Sequence, residues 1–176
     1  LKTGSTDVTV ERDISAIAGK IKNFINQYNS AIDLIYSKVT EKRIYPVETE
    51  SDMYAGLVNG DITLNNIRYT LNDLFVNTVS GLEESFNSLS GIGITKSSFS
   101  STGSNTDMLA GKLIVDDAKL NEAITGNFEA VRDIFTKNNG VEGLENEDYG
   151  IGVRINNYLY AVTSNTGGIL KSRSSG

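Results

Sequence analysis

The chain of 176 residues contains no cysteine, no histidine and no tryptophan, and only one proline, Pro46. Without cysteine there are no disulfides, no thiolate metal sites and no sulfur nucleophile. Without histidine, the Ser-His-Asp and Cys-His routes to nucleophilic catalysis are closed as well. Concentrated positive charge is also missing: 16 basic residues stand against 22 acidic ones, a net charge of −6, and no cluster is denser than Glu41-Lys42-Arg43. Nucleic acid, which demands a basic face, is therefore not an expected partner. The longest apolar runs, such as Gly56-Leu57-Val58 and Ile92-Gly93-Ile94, fall far short of the ~20 residues that cross a bilayer, so no membrane insertion is expected. Leu1-Lys2-Thr3-Gly4 lacks the apolar stretch of a signal peptide, which leaves export by another route open.

What is present is helical periodicity. Hydrophobic residues are 39% and charged residues 22% of the chain, a composition that folds. From Ile14, with Asp13 as N-cap, apolar residues recur every three or four positions: Ile14, Ile17, Ala18, Ile21, Phe24, Ile25, Tyr28, Ala31, Ile32 and Ile35. One stripe thus follows a helix to about Ser37, roughly 35 Å long, which needs partners to cover it. Leu64, Ile67, Leu71, Leu74, Phe75, Thr78 and Leu82 mark a second helix, opened by Gly60-Asp61-Ile62-Thr63 and expected to pair antiparallel with the first. Between them, Val39 to Val58 reads as an exposed loop with a short helix near Met53 to Leu57.

The flanking segments are shorter. Thr6-Asp7-Val8-Thr9-Val10 alternates as a strand does. Gly91 to Thr95 and Gly111 to Val115 predict a hairpin joined by a long mobile loop, Ser97 to Asp107. Asp116 is expected to cap a helix carrying Leu120, Ala123 and Ile124 that stops at Gly126. Asn127 caps the next, which buries Phe128, Val131, Ile134 and Phe135. Asn138 to Gly150 reads as a loop, Val153, Ile155, Tyr158, Leu159 and Val162 as another helix, and Gly167-Gly168 as a break before a last helical start at Ile169.

Candidate chemistry is sparse. Asp116-Asp117, or Glu145, Glu147 and Asp148, offer carboxylate pairs of the glycosidase kind, but a helix N-terminus and a polar loop favour the charged form over the raised pKa an acid catalyst needs. Glu142, Glu145, Glu147 and Asp148 supply oxygen ligands, yet their spacing fits no calcium loop. Gly91-x-Gly93 and Gly150-x-Gly152 do not continue into a phosphate-binding motif and are turn glycines. The eight tyrosines are scattered, and core or rim positions suit them. No catalytic residue, cofactor or metal is expected, and the residues read as a helical assembly module.

Several motifs in order carry a resemblance. They are Phe24-Ile25-Asn26-Gln27-Tyr28-Asn29; Leu57 to Ile67, with Gly60, Asp61, Leu64 and Ile67; Leu89-Ser90-Gly91-Ile92-Gly93-Ile94-Thr95; Gly111 to Leu120, with Leu113, Asp116 and Leu120; Val131-Arg132-Asp133-Ile134-Phe135; and Thr166 to Arg173. Read together, from about Val8 to Arg173, the sequence resembles the C-terminal half of the bacterial flagellar filament cap family, hook-associated protein 2. The resemblance implies a mainly α fold with a minor β part: two long antiparallel helices in a leg-like bundle, shorter helices and a small hairpin at about 91–116. Its domains would be 1–12, the last strand of a β head; 13–173, the helical leg; and 174–176, the start of a coiled coil.

By the same resemblance the protein is secreted through the flagellar export channel. It forms a homo-oligomer at the extracellular filament tip, next to the hook–filament junction proteins, and helps flagellin fold and polymerise. A surface adhesin that engages host mucin or glycan through the loops near Pro46 and Ser97 to Asp107 is the alternative, and a carboxylate-dependent hydrolase a third reading.

Overall fold

The structure, a computed structural model, describes residues 12–98, 105–138 and 148–174. The strand expected at 6–10 and most of the loop expected after Asn138 lie outside them.

Helix α1 runs Ile14–Thr40, 27 residues. Its start is set by the Asp13 carboxylate, which accepts a hydrogen bond from the Ala16 amide at 2.8 Å and so satisfies one of the donors a helix N-terminus leaves free. Ala18, Ile25, Tyr28, Ile32 and Val39 are buried along one face. Ala31, counted in the predicted stripe, is exposed, because it sits about 100° round the helix from Ile32 at the stripe's centre. The helix runs three residues past Ser37, and the Thr40 hydroxyl donates to the Tyr36 carbonyl in the last turn.

A short helix, α2 (Glu50–Tyr54), is held by a reciprocal capping box between Thr49 and Asp52. Helix α3 spans Ile62–Val76, with Asp61 capping the Leu64 amide at 2.9 Å. Three contacts fix its direction against α1: the Tyr28 and Phe75 rings at 4.0 Å, the Asn72 amide on the Tyr28 hydroxyl, and Arg68 over the Tyr36 ring. Positions rise on α1 as they fall on α3, so the two helices are antiparallel, as expected. The second helix is nonetheless shorter than the periodicity predicted, and Thr78 and Leu82 lie beyond its end. The backbone turns extended at Asn77, and the Thr78 carbonyl goes to Arg154, 3.1 Å away.

The β part is a two-stranded antiparallel sheet of β1 (Ile94–Lys96) and β2 (Leu113–Val115), with Thr95 opposite Ile114. Leu89–Ile92, expected in part as strand, forms a 3-10 turn closed by Gly93 at φ 84°. Part of the expected loop is helix: α4 covers Asn105–Ala110 and ends where Gly111 takes φ 90° and donates its amide back to Asp107. Residues 99–104 lie outside the described part.

Helices α5 (Asp117–Gly126) and α6 (Phe128–Thr136) follow with the caps that the sequence predicts. Asp116 accepts from the Ala118 and Lys119 amides, and Asn127 accepts from Ala130. Then come α7 (Ile151–Thr163) and α8 (Ile169–Ser174). Gly150 lies against the Phe135 backbone so closely that a Cβ would meet it at 2.6 Å, which lets α7 start directly beside the end of α6. One core joins these elements, from Ile25, Tyr28 and Ile32 through Leu71, Leu74 and Phe75 to Ile92, Leu120, Ile124, Val131, Ile134 and Ile151. The architecture is mainly α with a minor antiparallel sheet. Leu159, placed in the α7 stripe by periodicity, is exposed.

Candidate assembly surfaces

Most polar side chains that reach the interior bond to backbone. The Asn29 amide donates to the Leu113 carbonyl and its oxygen accepts from the Leu113 amide, both at 2.8 Å. Beside it, the Tyr28 hydroxyl and the Asn72 amide both donate to the Gly111 carbonyl, at 3.0 and 2.9 Å. Burial pushes the Tyr28 phenol up to about 12, and the hydrogen bond from Asn72 opposes that rise. Arg68, buried, caps the Leu109 and Ala110 carbonyls at the end of α4. Lys112 bridges Asp33 of α1 and Asp107 of α4 at 2.9 and 2.8 Å, and those two carboxylates hold its ammonium above the ordinary lysine value. These groups tie the α4–β2 connection to the α1–α3 pair.

The carboxylates considered for acid–base chemistry are engaged or dispersed. Asp116 is spent on its cap, Asp117 pairs with Lys22 at 3.3 Å, and Glu142, Glu145 and Glu147 lie outside the described residues. Among the described residues no three carboxylates, histidines or cysteines group as a metal site would require.

Among the described residues two apolar surfaces are left open. The first is a trough of about 770 Å³ where α1, α6 and α7 come together. Ile17, Ile21 and Phe24 form one side, Phe128, Val131 and Phe135 another, and Val153 and Asn157 a third. The Phe24 and Phe135 rings meet edge to face at 6.1 Å near one end, and Arg12 lies 4.6 Å over the Phe128 ring near the other. Among the described residues its charged lining consists of Lys20 and Arg132. Arg132 is ion-paired with Glu129 and Asp133, whereas Lys20 has no acidic partner among the described residues.

The second surface is the tip, the segment linking α1 to α3. Ile44, Tyr45, Val47, Met53, Tyr54 and Leu57 are all exposed there, Tyr45 by 79%, and so is Ile62 at the start of α3, by 76%. The segment is nevertheless framed. Gly56, at φ 65°, packs on the backbone of Glu41 to Arg43, where a Cβ would come within 2.7 Å of the Arg43 nitrogen. The Gly56 amide donates to the Glu41 carboxylate at 3.1 Å, and that bond, with help from Lys38, holds the carboxyl below its ordinary range. Asn59 donates to the Glu41 carbonyl, and the Gly60 amide, at φ 68°, reaches back to Val39.

The residues singled out by the sequence motifs fall into three settings. Tyr28, Ile67, Leu113, Leu120 and Val131 are buried; Phe24, Leu64 and Phe135 are half-buried beside the core. Asp61 and Asp116 are N-caps, Asn29 is bonded to Leu113, and Gly60 and Gly93 take positive φ where no side chain fits easily. Gly91 is exposed in the 3-10 turn, against the Ser85 backbone. Sequence reasoning missed Arg68, Asn72 and Arg154. Arg154 is only 1% exposed on α7, and no periodicity argument places a cation in the core. The tip, read from sequence as an exposed loop near Pro46, is exposed, but its frame of Glu41, Gly56 and Asn59 follows no period and was not foreseen.

The described residues thus form a helical module that spends most of its interior polar groups on backbone and leaves two apolar faces exposed. All of residues 1–176 match the family described as "Flagellar hook-associated protein 2 C-terminus", and the chain belongs to that family. It is similar to flagellar hook-associated protein 2 of Salmonella typhimurium, 28% identical over 90% of this chain and 30% of that protein. The protein of that name in Escherichia coli is 30% identical over 94% of this chain and 31% of its own length. The Thermotoga maritima relative is 29% identical over 79% of this chain and 22% of its own. The chain thus spans about a third or less of the length of these relatives. No solved structure matches it.

Proposed function

We propose that this chain is the C-terminal part of a flagellar filament cap. It acts by non-covalent contact with copies of itself and with flagellin at the extracellular filament tip, and not by catalysis. The carrying observation is the family match along all 176 residues. In this reading the polypeptide leaves the cell through the flagellar export channel, sits beyond the hook–filament junction proteins and assists incoming flagellin to fold and polymerise. Residues 13–173 are its helical leg, 1–12 the end of a β head and 174–176 the approach to a coiled coil.

The chain's own chemistry supports such a role. A polypeptide with no cysteine needs no oxidising step after export. Its open apolar faces are of the kind that bury against neighbours. No observation favours mucin or glycan binding.

The test is deletion of the full-length gene, followed by examination of filaments and culture medium. Secreted, unpolymerised flagellin and absent or stunted filaments are expected, restored by the gene in trans. Normal filament growth in the deletion strain would overturn the reading.

A further inference from the structure

At the base of the tip, Asn59 and Gly60 form a pair whose own chemistry the fold holds in check. We propose that this pair is a self-modification site. It converts to aspartate or isoaspartate while the chain is unfolded, is shut by folding, and once converted leaves the tip unable to rebuild its frame.

An asparagine followed by glycine is open to attack by its own backbone. Once base removes the proton of the Gly60 amide, that nitrogen bonds to Asn59 Cγ, the side-chain nitrogen leaves as ammonia, and a succinimide ring remains. Water then opens the ring at either carbonyl, giving aspartate or the isoaspartate whose main chain runs through Cβ. One water is consumed and one ammonia released, with no oxidant or cofactor. Glycine hinders this attack least, since it has no Cβ and the freest backbone. The sequence holds two such pairs, Asn59-Gly60 and Asn139-Gly140, and the second lies outside the described residues.

In the folded chain both reacting groups are engaged. The Gly60 amide donates to the Val39 carbonyl at 2.8 Å, so removing its proton would set an anion opposite a carbonyl oxygen. The Asn59 carboxamide donates to the Glu41 carbonyl, also at 2.8 Å, which ties its Cγ toward the end of α1. The Asn59 amide on Gly56 and the Asp61 amide on Val58, at 3.2 and 3.1 Å, fix the backbone on either side. Asn59 and Gly60 are both exposed, so hydrogen bonding, and not exclusion of water, is the shield. Reaction then requires local opening, and its rate follows the open population.

The product does not fit the frame. A carboxylate at position 59 sets an acceptor against the Glu41 carbonyl where a donor stood, and adds negative charge beside the residue whose side chain holds Gly56. Isoaspartate also lengthens the main chain by one carbon just before Gly60, which displaces that amide from Val39. Val39, Glu41, Asn59 and Gly60 all lie outside the main core cluster, so the damage is confined to the tip.

The test holds full-length protein at mildly alkaline pH, in buffer or in urea, and maps tryptic peptides by mass spectrometry. In urea, peptide 44–68 is expected to gain aspartate and isoaspartate at position 59 at a rate comparable with position 139, its reference in the same chain. In buffer the rate at position 59 should fall at least about tenfold, as two hydrogen bonds on the reacting groups imply. Gly56→Ala, which strains the frame and keeps both members of the pair, should return most of that rate. Asn59→Asp, a stand-in for one product, should speed amide exchange in residues 41–60 and leave Ile25 and Phe75 unchanged.

Equal rates at position 59 in buffer and urea overturn the shield. Unmodified Asn59 in urea, where Asn139 converts, overturns the chemistry. Faster exchange in Gly56→Ala without faster conversion, or unaltered exchange in Asn59→Asp, overturns the link between the pair and the frame.

Discussion

The middle of α1 and the segment that follows the helix contain the same kinds of residue and use them in opposite ways. Around Tyr28, the isoleucines and aromatics face inward: Ile25, Ile32 and Phe75 are all but sealed from water. Polar groups there are consumed in closing the structure, as Asn29 and Asn72 are. Across the tip, Tyr45, Met53, Tyr54 and Ile62 face outward, while the segment is held by bonds to its backbone from the Glu41 and Asp52 carboxylates and the Asn59 amide, and by the close approach of Gly56. Burial of side chains determines shape in the first region, and backbone hydrogen bonds do so in the second. That arrangement leaves the apolar side chains of the tip available to a partner.

The sharpest way to break the comparison is truncation of an aromatic on each side. Phe75→Ala should lower unfolding free energy by ~3–5 kcal/mol in a urea titration, the usual cost of emptying a sealed aromatic site. Tyr54→Ala should change it by less than ~0.5 kcal/mol, as expected of an exposed position. Comparable losses at both sites would mean the tip contributes to the core after all.

Alkaline pH probes the packed region next. The Tyr28 phenol is raised to about 12 in the folded chain, while an unfolded tyrosine titrates near ~10. Folded protein therefore holds its proton where unfolded protein loses it. The stability this represents is complete below the unfolded value and is lost as pH climbs from about 10 to about 12, on the order of 2–3 kcal/mol. Tyr28→Phe should abolish this component of the alkaline loss in denaturation followed by circular dichroism.

Asn29→Ala removes both bonds to Leu113 and leaves a backbone donor and acceptor without partners, which should cost about 2 kcal/mol. Gly56→Ala forces a side chain into a positive-φ site hard against Arg43 and should cost ~1–3 kcal/mol of local order. Its signature would be faster amide exchange in residues 41–60, with Ile25 and Phe75 unchanged.

The smallest effect is acidic. The Glu41 carboxyl is held low chiefly by the Gly56 amide and then by Lys38, so its contribution is present above the ordinary glutamate value and fades as pH falls through its own lower one. The Gly56 amide resonance should titrate with a midpoint below the ordinary glutamate range. Core amides should not move with it.

Caps and stripes were legible in the sequence because both are local. Asp13, Asp61, Asp116 and Asn127 each act on an amide two or three residues onward, and each sits where a periodic run begins. The end of α3 was not legible, because Thr78 and Leu82 keep the three- and four-residue step, and the chain turns where a cation from α7 takes its carbonyls. Helix α4 was hidden in a Ser/Thr/Asn-rich stretch that composition reads as loop, and it is stabilised by Arg68 from α3 and by Lys112, just past its own end.

The family could be read from the order of its motifs, but the open faces could not. Every apolar trough residue on α1 and α6 belongs to a stripe that periodicity reads as buried, and only the packing of neighbouring elements determines which part of a stripe remains bare. The tip's frame depends on a close approach between Gly56 and residues 41–43 that no spacing rule encodes.

Asn29 has one further consequence. In β2 the Leu113 amide and carbonyl face away from β1, where another strand could otherwise dock. The Asn29 carboxamide fills that place, presenting one donor and one acceptor as a passing backbone would. It is a decoy strand one residue long, and it closes the sheet edge at that point to unspecific β-addition. For a polypeptide whose proposed work is joining copies in a set order, blocking this route to indiscriminate aggregation keeps association to the helical faces.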